Sequence, residues 1–93
     1  MRIVRSEAYL FSLQKIMEFI AEDSLARAFD FQSEFDDKIN DLPYMPYKYK
    51  KSLYFHDKNI RDFIFKGYVI PYKIDKPHNT LTIIGITKYK KEL

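Results

Sequence analysis

Tyrosine and lysine interleave twice in this chain, in Tyr47-Lys48-Tyr49-Lys50-Lys51 and in Lys88-Tyr89-Lys90-Lys91. Ammonium groups neutralise phosphates or carboxylates, and phenol rings offer flat faces to bases. Such stretches suit a nucleic acid or an acidic protein segment. Arg61 stands among apolar residues of a strand-like run. Its guanidinium either pairs with Asp62 or a helix carboxylate, or is offered to a partner together with Lys66 in the following turn. His56 is followed by Asp57, an acid–base pair by composition, but a histidine in an exposed turn is more often merely solvated. Two glycines cannot build a phosphate-cradling loop or a dinucleotide-binding turn. With no cysteine and no spaced His/Asp/Glu cluster, neither a metal nor any other cofactor is expected. Asp36, Asp37 and Asp41 read as a solvated helix face.

The elements that must position these residues follow from periodicity. Arg2–Arg5 is a short strand. Ser6 can cap a helix, and Tyr9, Leu13, Ile16, Met17 and Ile20 then recur as one helical stripe. Phe11 and Phe19 lie outside that stripe, free for a partner or a neighbouring helix. Asp23 or Ser24 caps a second helix with the stripe Ala28, Phe31, Phe35, Ile39 and Leu42, ended by Pro43. So short a joint makes a helical hairpin. An extended loop over 43–51 follows. From Ile60 the period becomes two: Phe63-Ile64-Phe65, a Lys66-Gly67 turn, then Tyr68, Ile70, Tyr72 and Ile74 on one face. Pro71 points to an edge or bulge position, and Leu81–Thr87 reads as a last buried strand. The expected fold is α+β, a single domain over 1–93 of order β-α-α-β-β-β, its helical hairpin packed on a twisted antiparallel sheet.

Charge divides along the same line. Residues 1–41 carry five basic and nine acidic side chains, a net −4, and residues 42–93 carry eleven and four, a net +7. The second part therefore attracts anions. Seven of the eight tyrosines also lie there, as befits half-wet surfaces. No apolar run reaches the roughly 18 residues that would span a bilayer, and the start lacks a signal-peptide pattern, so a soluble cytoplasmic protein without membrane contact is expected.

On these residues the chain resembles the RelE/ParE family of toxins from type II toxin–antitoxin systems. The likeness is densest over Asn59–Asp75: an arginine in a strand, a short glycine turn, the Gly67-Tyr68 pair, then an aromatic and a basic residue before an acidic turn. The resemblance implies a toxin held by a cognate antitoxin through an acidic segment, with operator DNA contacted only through the antitoxin. RelE-like members cut messenger RNA on the ribosome, which takes a base, an acid and cations for the phosphorane. Their cationic positions here are Ile60, Asp62, Ile64, Val69 and Thr87. Lys88, Tyr89, Lys90 and the remote His56 are what remains for a metal-independent endoribonuclease. ParE-like members inhibit DNA gyrase by contact, and the departures favour that branch, with mRNA cleavage as the alternative and an inactive binding homologue as a third. The contact residues are then Tyr47, Lys48, Tyr49, Lys50, Lys51, Arg61, Lys66, Lys88, Lys90 and Lys91.

Overall fold

A computed structural model describes residues 1–88. The elements run β1 (Arg2–Arg5), α1 (Glu7–Asp23), α2 (Leu25–Asp41), a 3-10 turn (Leu42–Tyr44), β2 (Ile60–Phe65), β3 (Tyr68–Asp75), β4 (Thr80–Ile83) and β5 (Thr87–Lys88). Serine sets the helix boundaries. The Ser6 hydroxyl accepts from Tyr9 N–H at 3.0 Å and donates to the Ile84 carbonyl at 2.6 Å, so one side chain caps α1 and ties it to the sheet. Ser24 closes α1 by donating its N–H to the Ile20 carbonyl, and its hydroxyl caps α2 by accepting from Arg27 N–H. One residue thus serves both helices, and the hairpin is tight.

Both expected stripes face inward. Tyr9 and Leu13 of α1, with Ala28, Phe31, Phe35 and Ile39 of α2, are buried, as is Leu42. Phe35 is the hub: its ring lies 6.1 Å from Tyr9, 5.5 Å from Phe31, 6.2 Å from Phe63 and 5.4 Å from Phe65. Edge-to-face and tilted pairs of this kind add to the burial itself.

The sheet runs in the order β1-β4-β3-β2, with β5 beside the start of β3. It is mixed, which corrects the antiparallel expectation: β1 pairs with β4 in parallel, Arg2 opposite Thr80 and Arg5 opposite Ile83. A tight turn dictates the direction of strands that follow each other, whereas β1 and β4 are separated by most of the chain and no local signal fixes their sense. The β2–β3 hairpin turns on Lys66 and Gly67, both at positive φ, the conformation a two-residue turn requires. Pro71 is not on an edge strand, since β3 is interior. It lies where the partner strand breaks: the span Leu81–Thr87 is β4, an interruption at 84–86, then β5, and the Pro71 carbonyl accepts from Ile84 N–H at 2.9 Å. The ring without an N–H meets the gap rather than a ladder. Among the described residues no helix is long and apolar enough to cross a membrane.

Candidate functional site

Strand β2 ends the sheet, and the loop before it folds back along its outer edge. Asp62 N–H donates to the Lys50 carbonyl at 3.0 Å and Ser52 N–H to the Ile60 carbonyl at 2.8 Å, around an antiparallel bridge between Lys51 and Arg61. The basic stretch 47–51 is therefore fixed against the sheet rather than free.

Arg61 does the fastening. Its guanidinium donates to the Tyr49 carbonyl at 3.1 Å and the Lys58 carbonyl at 3.2 Å, and its centre lies 4.9 Å from the Tyr47 ring. Neither Asp62 nor a helix carboxylate takes it, so both pairings considered for it give way to a backbone clamp. Lys76 approaches the same ring, at 5.0 Å, and the Tyr47 hydroxyl bonds Asn59 at 2.9 Å. From beneath, the Tyr72 hydroxyl donates to the Pro46 carbonyl at 2.6 Å. Burial first, then the neighbouring Tyr49, raises the Tyr72 pKa, so this phenol stays a donor throughout the physiological range.

The result is a groove of about 860 Å³ lined by Lys48, Tyr49, Lys50, Lys51, Leu53, Arg61, Asp62 and Ile64. Four of these side chains are cationic. Asp62 is the lone carboxylate and is only 8% exposed; one oxygen accepts from Leu53 N–H at 3.1 Å and the other has no partner. A groove of this charge can hold an anionic chain. Asp62 went unrecognised as a structural carboxylate in the sequence, although an acidic residue between Ile60 and Phe63 in a strand is the signal that points to it.

The other expected contacts lie apart. Lys66, at the far end of β2, pairs with Glu34 at 2.9 Å and sits over the rings of Phe65 and Phe31. Lys88 lies beside Tyr68 in β5 and rims a second groove with Lys15, Phe11 and Phe19. These two phenylalanines are 63% and 70% exposed, so the α1 surface outside the stripe is open and apolar. His56 is exposed, and Asp57 turns away from it to accept from Asn59 N–H at 2.8 Å and to approach Lys73 at 3.9 Å. The His56-Asp57 pair is thus not made. A pair that was not foreseen, His78 with Asp75 at 2.8 Å, holds the β3–β4 turn. Tyr89, Lys90 and Lys91 lie outside the described residues.

Compared with known families, residues 3–92 match the one described as the ParE toxin of type II toxin–antitoxin systems, parDE. No curated protein matches the sequence. Among solved structures, a chain of a chromosomal ParDE toxin–antitoxin system from P. aeruginosa superposes with a TM-score of 0.76 at 10% identity, covering 97% of each chain. At that identity the likeness is one of fold.

Proposed function

This chain belongs to the ParE toxin family of type II toxin–antitoxin systems, and on that footing we propose that it arrests growth in the cytoplasm by binding DNA gyrase and is neutralised by an acidic cognate antitoxin. The observation that carries the antitoxin half is the groove beside β2, where Lys48, Lys50, Lys51 and Arg61 converge on a molecule whose helical half is net negative. An acidic segment gains there by charge complementarity and by steered encounter. The gyrase half is supported by what β2 and β3 present: Ile60, Asp62, Ile64 and Val69 occupy the positions where RNA-cleaving relatives place cations, so inhibition by contact is the simpler reading. Operator DNA is then met only through the antitoxin.

Supercoiling of relaxed plasmid by purified gyrase tests the target. Added protein should stop it, and undiminished supercoiling would overturn the gyrase reading. Translating ribosomes give the opposite arm, since truncated messages would make the chain a ribosome-dependent nuclease. Co-expression of a short acidic reading frame adjacent to this one should restore growth.

A further inference from the structure

We propose that the open half of β2, from Asp62 to Phe65, accepts an extended acidic peptide of the partner as an added strand. The inference rests on the antitoxin reading above and specifies where, and in what backbone form, the acidic segment binds.

Backbone direction alternates along a strand. Asn59 faces β3, its carbonyl taking Ile74 N–H at 2.8 Å, whereas Ile60 and Asp62 turn outward and bond the loop at Ser52 and Lys50. The next outward residue is Ile64. Among the described residues the loop contacts stop at Lys50, so the N–H and C=O of Ile64 face off the sheet beyond them. Its side chain, 49% exposed, forms the apolar floor of the groove's end, with Leu53 nearby at 87% exposed. An unpaired edge of this kind is a template for another chain, and alternate side chains of that chain would meet the sheet face and the rim.

The rim selects the charge. Lys48, Lys50, Lys51 and Arg61 line the groove, and the one carboxylate among them, Asp62, is buried, with one oxygen taken by Leu53 N–H. A nucleic acid fits less well. It cannot use the strand's alternating donors and acceptors, and the ring faces it would stack on are occupied: Tyr47 by Arg61 and Lys76, and Tyr49 by Lys48 at 5.5 Å.

The test uses the full chain and a ten-residue synthetic peptide alternating glutamate with valine, with binding and site-resolved amide exchange measured together. The peptide should bind, and the Ile64 amide should exchange at least about tenfold more slowly when it does. Ile64→Pro, which removes an outward donor and leaves the β2–β3 ladder intact, should weaken binding about tenfold or more. The triple change Lys48→Ala, Lys50→Ala, Lys51→Ala should do the same and flatten the salt dependence. A second probe, the peptide with proline at alternate positions, should fail on the unaltered protein, which guards against misfolding of Ile64→Pro. Undetectable binding of the parent peptide, unchanged Ile64 exchange, equal binding of the proline peptide, or displacement of the peptide by a ten-nucleotide uridine RNA would each overturn the proposal. None of these readouts involves gyrase or growth, so failure of the toxin reading shows separately in the supercoiling assay.

Discussion

The helical hairpin and the loop that follows it are held in different proportions by apolar burial and by polar contacts. Residues 7–41 are fixed by apolar burial: two stripes converge on Phe35, whose ring touches four others. Residues 45–59 have almost no regular structure; Tyr47 and Tyr49 rest against the edge of the core, and the rest of the path is set by single polar contacts to backbone atoms: Tyr72 to the Pro46 carbonyl, Arg61 to those of Tyr49 and Lys58, Asp62 to Leu53 N–H. The first region is a scaffold that tolerates surface change. The second is a loop whose shape depends on a few groups outside it, which is how a loop can stay ordered with little core of its own.

This contrast can be broken by substitution. Phe35→Ala should have the largest effect, about 3–5 kcal/mol in denaturant unfolding, because it opens a cavity among four rings. Against a total of roughly 5–15 kcal/mol, that leaves the domain marginal. Raising the pH should come next. Tyr9 is fully buried, and burial, followed by the charge of Asp36, pushes its pKa from 10.0 up to about 12 against the opposing influence of Arg5. The native state then holds the proton more tightly than the unfolded chain. Stability is complete below pH 10 and declines as pH rises from 10 towards 12, by roughly 2–3 kcal/mol from this group. Tyr9→Phe should flatten that decline in urea midpoints measured across the window.

Arg61→Ala should cost about 1–2 kcal/mol, since two carbonyls lose a charged donor and the Tyr47 ring loses its cation. Its signature is local: amides of 47–51 should exchange much faster while the helices keep their protection, and Arg61→Lys should not restore them, lacking the planar fork. If Arg61→Ala instead loosened the helices as much as Phe35→Ala, the two regions would not be separately held. Lys66→Ala should be smallest, under about 1 kcal/mol, because its pair with Glu34 is exposed on both sides and its approach to the Phe31 and Phe65 rings is made from the same exposed position.

The same contrast explains what the sequence disclosed. Apolar periodicity is local, so Ser6, Ser24 and the stripe from Ala28 to Leu42 announce the hairpin, and the Lys66-Gly67 turn announces β2–β3. Of the candidate site, the run Tyr47–Lys51 and Arg61 were legible as residues belonging to a basic surface. What Arg61 does was not, because its acceptors are backbone carbonyls, which every residue type supplies alike. The burial of Asp62 depends on a loop N–H that no pattern marks. Pro71 signalled an irregularity but not its place, since the break lies in the neighbouring strand.

The parallel pairing of β1 with β4 also bears on when the molecule becomes competent. Residues 2–5 are made before every other element of this fold and have no sheet partner until residues 80–83 have been made, and the Ser6 hydroxyl waits equally for Ile84. Contacts so distant along the chain slow folding and postpone its completion until β4 has been made. A nascent chain halted anywhere before β4 therefore carries an unmatched first strand, which makes premature termination a route to aggregation or proteolysis rather than to a partly functional fragment.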